Sequence, residues 1–199
     1  MGVLVSHSIL LRASDTVSDS DLVARAVTGD RWSREVIYRR HAGLLLAIAA
    51  RLLGNRGDAE EVVQDTFVTA FEQLHALRDP AALRAWLAQI AVSLVRRRIR
   101  RARLMRVLGL DRGADDATLA ALAAPGTAPD ERADLAMVDR LLTKLRANVR
   151  IAWMLRRVEG LELAEVASYC DCSLATAKRW IAEADGVIKS HVTIEEVAS

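Results

Sequence analysis

The sequence ELAEVASYCDCSLATAKRWIAEADGVIKS, residues 162–190, has the spacing of two short helices joined by a tight turn. Ala167 is a small residue where the helices would cross, Asp171 stands at the turn, and Ser173 is a suitable N-cap for the second helix. The turn commonly requires a positive φ angle, which Asp tolerates at modest cost. The residues predicted to face inward are Leu163, Val166 and Ala167 in the first helix and Leu174, Ala177 and Ile181 in the second. This pattern predicts a helix-turn-helix.

The opposite side of the second predicted helix is polar. It carries Ser173, Thr176, Lys178, Arg179 and Trp180, which suit contacts with phosphates and base edges in a nucleic-acid groove. Any helical hairpin with a polar outer face would show the same spacing. The motif alone therefore leaves two interpretations open, a DNA-binding domain and an ordinary helical hairpin.

Upstream of this motif, positive charge is concentrated in one segment. Residues 84–110 have a net charge of +8 and contain no Asp or Glu, although the whole chain has a net charge of +2. Trp86, Leu87, Ile90, Ala91 and Leu94 precede the arginines at helical spacing, so a packed helix would hold the arginines on a fixed platform. Such segregation is typical of a surface that meets a polyanion, because neutralised phosphates release counterions. The alternative interpretation is a solvated helix end that keeps the protein soluble.

Composition predicts an all-α protein. Apolar residues make up 52% of the chain and aromatic residues 4%, which suits the packing of helix on helix, and no stretch alternates over strand length. We predict two small helical domains joined by a flexible linker, the second being a helix-turn-helix domain. The predicted segments are an N-terminal tail at 1–18, a first domain at 19–108, a linker at 109–130 with one short helix at 116–124, a second domain at 131–191 and a C-terminal tail at 192–199.

Turn and cap residues predict the helix boundaries of the first domain. The helix that follows Gly54 has an acidic edge opposite its apolar stripe. The predicted helix starts are Asp19 or Ser20, Asp30 and Asp79-Pro80, and the predicted stops are Gly29 and Gly54.

Several classes of protein are not supported by the sequence. The N-terminus lacks the basic start and the small-residue cleavage site of a secretory signal, and no apolar run reaches membrane-spanning length, so we expect a cytoplasmic protein without membrane insertion. Cys170 and Cys172 have neither redox nor zinc spacing, so we interpret both as reduced and structural. We expect no metal site, no cofactor and no catalytic residues, because no ligand spacing, phosphate loop or nucleophile-base pattern is visible.

Four segments, in order, together resemble an RNA polymerase sigma factor of the extracytoplasmic-function type. Residues 29–55 and 57–74 are similar to the domain that binds the polymerase clamp. LRAWLAQIAVSLVRRRIRR, residues 83–101, is similar to the family's Trp-Leu-x-x-Ile-Ala signature with its basic promoter-reading helix. VEGLELAEVASYCDCSLATAKRW, residues 158–180, resembles the helix-turn-helix that reads the upstream promoter element.

The resemblance implies a specificity subunit rather than an enzyme. Its expected partners are bacterial core RNA polymerase, promoter DNA and an anti-sigma factor. The acidic edge, Asp58, Glu61, Gln64 and Asp65, would bind the polymerase. The loop at 75–84 would take a flipped base of the minus-ten element. The DNA-binding residues implied are Arg84, Trp86, Ser93, Arg96, Arg97, Arg100, Arg101 and Arg103 in the first domain, and Ser173, Thr176, Lys178 and Arg179 in the second.

The chain departs from the family pattern in three places. Ser93 and Arg97 stand where Asn and Asp are usual, and Ala177 replaces a common Val. After Trp180 the usual basic residues give way to acidic Glu183 and Asp185, so residues 146–199 have a net charge of −1. The alternative function is a polymerase-independent helix-turn-helix regulator. Such regulators usually dimerise, but the sequence shows no heptad seam.

Overall fold

The computed structural model describes the backbone of residues 17–108 and 129–198 and the side chains of residues 17–108 and 135–191. Within these ranges all regular secondary structure is helical, which confirms the predicted fold class. The α-helices are α1 (Asp19–Val27), α2 (Arg31–Leu53), α3 (Arg56–Gln73), α4 (Leu83–Val107), α5 (Pro129–Lys144), α6 (Ala147–Arg157), α7 (Leu163–Tyr169) and α8 (Leu174–Ala198). Short 3-10 turns at Leu74–Ala76 and Pro80–Ala82 connect α3 to α4. The predicted linker helix at 116–124 lies outside the described residues.

The cap of α1 differs from the prediction. Ser18, rather than Asp19 or Ser20, is the N-cap, because its backbone is extended and its hydroxyl accepts a hydrogen bond of 3.1 Å from the Asp21 amide. Asp19 has another task, since its carboxylate pairs with Arg40 on α2. This contact joins the first two helices.

The other boundaries follow local backbone chemistry. Gly54 ends α2 at φ 73°, in the left-handed region that glycine adopts without strain. Asp79 caps the turn Pro80–Ala82, which is 3-10 rather than α-helical, so α4 begins only at Leu83. At the far end, α8 is helical through Ala198 and continues past residue 192, where the C-terminal tail was predicted to begin.

The helices at 19–107 and 129–198 fall into two groups. In the first, α2 packs against α1, α3 and α4, and in the second, α6 packs against α7 and α8. The groups touch each other where α6 and α7 lie against α4 and where α6 lies against α2, so their buried apolar side chains form one cluster. None of the helices in the described part of the chain is both long and apolar enough to span a bilayer.

Candidate nucleic-acid interface

Helix α4 presents the positively charged segment from a buried apolar side. Leu87, Ala88, Ala91, Val92 and Val95 are buried at helical spacing and fix the helix against the core. The side chains of Arg97, Arg100, Arg101 and Arg103 are exposed. The arginines therefore project from a rigid platform, as predicted.

Trp86 lies both against the apolar core and at the edge of a cleft. It is half-buried and packs against the apolar core. It also lines a cleft with the connection between α3 and α4, which contributes Leu77, Arg78, Asp79 and Ala82. One part of the indole is therefore core while another part is accessible from the cleft.

Three further predicted DNA-binding residues of the first domain lie towards α7. Arg96 donates a hydrogen bond of 3.0 Å to the carbonyl oxygen of Cys170, and the exposed Ser93 lines a cleft that Tyr169 also lines. Burial raises the pKa of Tyr169, and the positive charge of Arg84 works against that shift, so Arg84 is also close to α7. These residues lie on the side of α4 that is next to the helix-turn-helix, and Ser93 and Arg84 also remain exposed to solvent.

The predicted polymerase-binding residues share one edge of α3. Glu61, Gln64 and Asp65 are exposed and Asp58 is half-buried. Arg98 of α4 pairs with Glu61, lies 3.5 Å from the Asp58 carboxylate and donates to the Asp58 carbonyl at 3.2 Å. Arg98 was not among the site residues predicted from the sequence, because an ion pair between distant helices leaves no periodic signal.

Helices α7 and α8 form the predicted helix-turn-helix. Ala167 and Ala177 are buried at the crossing, and Asp171 adopts φ 52° in the turn. The Ser173 hydroxyl accepts a hydrogen bond of 3.2 Å from the Thr176 amide, which is the expected N-cap. The motif has the geometry that its sequence predicted.

One inward-facing residue of the motif was predicted wrongly. Leu174 is 54% exposed, whereas Ile181 is 8% exposed. Leu174 is the first residue of α8, and the helices cross at Ala177, so the first turn projects beyond the contact. Lys178 and Arg179 are exposed on the outer face, where they were predicted.

Two acidic residues of α8, Glu183 and Asp185, form hydrogen bonds within the second group of helices. Glu183 accepts a hydrogen bond of 2.7 Å from Arg146, and Asp185 accepts 2.9 Å from the Trp153 indole and 2.6 Å from Arg157. Burial raises the pKa of Asp185, but the bonds from Arg157 and Trp153 outweigh it and hold the pKa below its usual value. The low net charge of this region thus reflects carboxylates that attach α8 to α6.

Both cysteines are free thiols. Cys170 is buried, and this burial raises the pKa of its thiol to about 12. A thiol with such a pKa stays protonated and unreactive near neutral pH. This agrees with the structural role predicted for Cys170.

Each group of helices matches the sequence profile of a known protein family. Residues 37–104 match the sequence profile of Sigma-70 region 2, which includes α3 and most of α4. Residues 135–184 match the profile of Sigma-70 region 4, which includes the helix-turn-helix. The two matches occur in the order expected from the sequence.

Relatives align over most of their length. The ferric citrate uptake sigma factor FecI of Escherichia coli K12 is 29% identical over 167 residues, which cover 80% of this chain and 91% of FecI. The extracytoplasmic-function sigma-E factor of Salmonella typhimurium is 26% identical over 186 residues, with 90% and 96% covered.

Solved structures share the fold. CnrH, in complex with the cytosolic domain of CnrY, has a TM-score of 0.59 and 27% identity, and the match covers 89% of this chain and 99% of CnrH. RpoE of Bartonella quintana, in complex with the anti-sigma factor NepR, has a TM-score of 0.54 and 23% identity, with 79% and 94% covered. With both Sigma-70 profiles matched in order and relatives of the extracytoplasmic-function type aligned over most of their length, the chain belongs to the extracytoplasmic-function family of RNA polymerase sigma factors, which bind core polymerase and direct it to promoter DNA.

Proposed function

We propose that this sigma factor divides promoter recognition between its two groups of helices, α4 reading the minus-ten element and α8 the minus-thirty-five element. The observation that carries this proposal is the segregation of positive charge, +8 within residues 84–110. Exposed Arg97, Arg100, Arg101 and Arg103 on α4 meet phosphates, and exposed Lys178 and Arg179 on α8 meet a second stretch of DNA.

The cleft beside Trp86 supports a role in strand separation. Extruding a base from duplex DNA costs a few kcal/mol. Stacking on an aromatic side chain is worth about 1–3 kcal/mol per base, which is enough to offset that cost together with phosphate contacts. The half-buried Trp86 and the connection at 77–82 supply an aromatic surface and a cleft of this kind. The flipped base is a base of the non-template strand.

The acidic edge of α3 binds basic residues of the polymerase clamp. Glu61, Gln64 and Asp65 are exposed, and Arg98 fixes the position of Glu61 and Asp58 before the polymerase arrives. Charge pairing at such an interface affects the rate of association and the relative orientation of the two proteins more than it affects affinity.

In the second group, α8 enters the major groove with its N-terminal half. Ser173 and Thr176 contact phosphates or base edges, and the longer Lys178 and Arg179 reach bases or backbone. The hydroxyls of Ser173 and Thr176 lie 2.9 Å apart and hydrogen-bond to each other, so they present one joint polar surface.

The remaining assignments follow from family membership. Residues 19–108 act as region 2 and residues 131–191 as region 4, joined by residues 109–130. The protein works in the cytoplasm beside the polymerase. Sigma factors are not catalytic enzymes, and this chain acts without catalytic residues or a cofactor. CnrH is bound to the cytosolic domain of CnrY and RpoE to the anti-sigma factor NepR, and by these likenesses an anti-sigma factor binds this chain too.

Reconstitution with core polymerase tests the function. The full chain is mixed with bacterial core RNA polymerase, and transcripts from a pool of genomic fragments are sequenced. Start sites that need the chain and share two spaced upstream elements are the expected result. If the chain alone gives a tight, specific footprint as a dimer and does not co-purify with core polymerase, it is instead a polymerase-independent regulator.

A further inference from the structure

The C-terminal end of α4 projects beyond the packed part of the first group of helices. Val95 is the last buried residue of this helix, and Ile99 is the last whose side chain packs against the apolar core. The helix nevertheless continues, because the Leu108 amide still donates a hydrogen bond of 3.0 Å to the Leu104 carbonyl. Residues 100–108 therefore form about two helical turns that the core does not support.

This projecting end carries an exposed apolar cluster. Leu104 and Leu108 are each 58% exposed and Val107 is 77% exposed, and their i, i+3, i+4 spacing places all three on one face of the helix. We call these three residues the apolar tip. Elsewhere in the described residues, large exposed apolar side chains occur singly on four helices, at Val27, Tyr38, Val68 and Leu174. Single exposed apolar residues are ordinary on a protein surface, whereas a cluster indicates an interaction site.

Positive charge borders the apolar tip. Arg100 and Arg101 lie one turn before Leu104 on the same face, Arg103 lies one turn before Val107, and all three arginines are exposed. The segment 84–110 contains no Asp or Glu, so no carboxylate of this helix repels an anionic partner. An apolar face bordered by basic residues is typical of a helix that binds the surface of an anionic membrane.

The order of these residues along the helix axis fits a bilayer surface. Seven residues separate Arg100 from Val107, which corresponds to about 10 Å along the axis. Interfacial helices bury their apolar faces roughly 5–10 Å into the boundary between headgroups and acyl chains. An apolar tip that enters to this depth leaves the arginines at the level of the lipid phosphates, which their long side chains can reach.

DNA phosphates account for the arginines of this end but not for the apolar tip. Guanidinium groups form charge-assisted hydrogen bonds with phosphates. Leu and Val side chains gain nothing from charged oxygens and are stabilised by leaving water. A bilayer surface supplies both kinds of contact, because phosphates lie at its surface and acyl chains lie beneath them.

We propose that the projecting end of α4 binds the surface of an anionic lipid bilayer, with the apolar tip among the acyl chains and the preceding arginines on the lipid phosphates. The proposed function assigns the same arginines to promoter DNA, so the chain binds bilayer and promoter in turn rather than together. The bilayer contact itself does not depend on the proposed function.

Binding of the full chain to lipid vesicles, without polymerase, tests the proposal. One set of vesicles contains phosphatidylglycerol and phosphatidylethanolamine, and the other contains only neutral phosphatidylcholine. The tip variant is Leu104→Ser with Val107→Ser. The matched control is Leu174→Ser with Val27→Ser, which removes the same two side-chain types from exposed positions on other helices.

The wild-type chain is expected to bind the anionic vesicles at least about tenfold more tightly than the neutral ones, because anionic headgroups attract arginines near the surface. The tip variant is expected to lose at least about fivefold in binding to the anionic vesicles, because it keeps every arginine and loses only apolar contacts. The control is expected to bind like wild type. Urea unfolding of the tip variant is expected to match wild type, since both substituted side chains are exposed.

Four results overturn the proposal. Failure of the wild-type chain to bind anionic vesicles removes the bilayer contact, and equal binding by wild type and the tip variant shows that the arginines adsorb without insertion. A tip variant that is less stable in urea shows that the tip is covered within the protein, and a dimeric wild type that becomes monomeric in the tip variant shows that a second copy covers it. None of these results affects polymerase-dependent transcription, whereas failure of the proposed function is seen as its absence.

Discussion

Arg98 pairs with Glu61 and thereby joins the arginine-bearing helix α4 to the acidic edge of α3. The same guanidinium donates to the Asp58 carbonyl at 3.2 Å, so it holds the first turn of α3 against the middle of α4. One arginine of the positive segment is thus used inside the protein, while Arg97 and Arg101 beside it are exposed. Arginines that are neighbours in the sequence therefore differ in role: one makes contacts within the protein, and the others are exposed to solvent.

Single substitutions of these arginines distinguish an effect on stability from an effect on DNA binding. Arg98→Ala is expected to lower the free energy of unfolding by about 0.5–1 kcal/mol, because it removes a partly exposed ion pair. It is expected to leave the salt dependence of promoter binding by the holoenzyme unchanged. Arg97→Ala and Arg101→Ala are each expected to reduce the slope of log K against log salt by roughly one unit, because each removes one phosphate contact.

Urea unfolding and promoter binding at several salt concentrations give both quantities. A reduced salt slope for Arg98→Ala would show that Arg98 exchanges Glu61 for a phosphate on DNA. Unchanged slopes for Arg97→Ala and Arg101→Ala would mean that the arginines are only a solvated surface.

The stability of the helix-turn-helix is expected to depend on pH through Asp185. Bonds from Trp153 and Arg157 hold its pKa below the usual value, so its contribution to stability is present above the unfolded pKa near 3.8 and is lost as the pH falls through the folded value. Asp185→Asn is expected to cost about 2 kcal/mol at pH 7. The difference from wild type is expected to shrink as the pH falls below 4.

Urea titrations of both proteins from pH 7 to pH 3 measure this difference. Glu72→Gln is a suitable control, since Glu72 is an exposed acidic residue on α3 in the other group of helices. If the cost of Asp185→Asn stayed constant over this range, the Asp185 carboxylate would not be the source of the acid sensitivity.

The turn at Asp171 stores a small amount of backbone strain. Its φ of 52° lies in the left-handed region, which costs most residues about 1–2 kcal/mol and costs Asp less. Asp171→Gly is therefore expected to raise stability by about 0.5 kcal/mol, and Asp171→Ala to lower it by about 1 kcal/mol. Midpoints of urea unfolding rank the variants, and an Ala variant as stable as the Gly variant would show that the turn relaxes to another conformation.

The sequence predicted the features that depend on neighbouring residues. The crossing at Ala167 and Ala177, the positive φ at Asp171 and the cap at Ser173 were predicted because helical period and turn chemistry are local. The cap of α1 was not, because Ser18 stands beside two residues that cap equally well and only the backbone conformation chooses between them.

Long-range polar contacts could not be predicted in this way. Arg98 and Glu61 are 37 residues apart, and Gln89 and Ser168 are 79 residues apart. A long polar side chain on an exposed face follows no hydrophobic period, so its partner on another helix is fixed only when the helices pack. The seating of α7 on α4 was therefore visible only in the structure.

The outer face of α8 provides the last prediction. Lys178 and Arg179 are exposed while Ala177 beside them is fully buried, so a change of the outer pair can remove DNA contacts without disturbing the crossing. Lys178→Ala with Arg179→Ala is expected to lower initiation at promoters that need the upstream element, since each lost base-edge contact costs on the order of 1–3 kcal/mol.

Transcription with core polymerase at limiting concentrations of the sigma factor measures this effect, and urea unfolding should show unchanged stability. Ala177→Asp is the contrasting variant, because it places an unpaired charge at the buried crossing and should unfold the motif. If the Lys178 and Arg179 double variant initiates normally while base changes in the upstream element still matter, the recognition surface lies elsewhere. Arg146 and Arg157 do not replace it readily, because Glu183 and Asp185 already hold them within the protein.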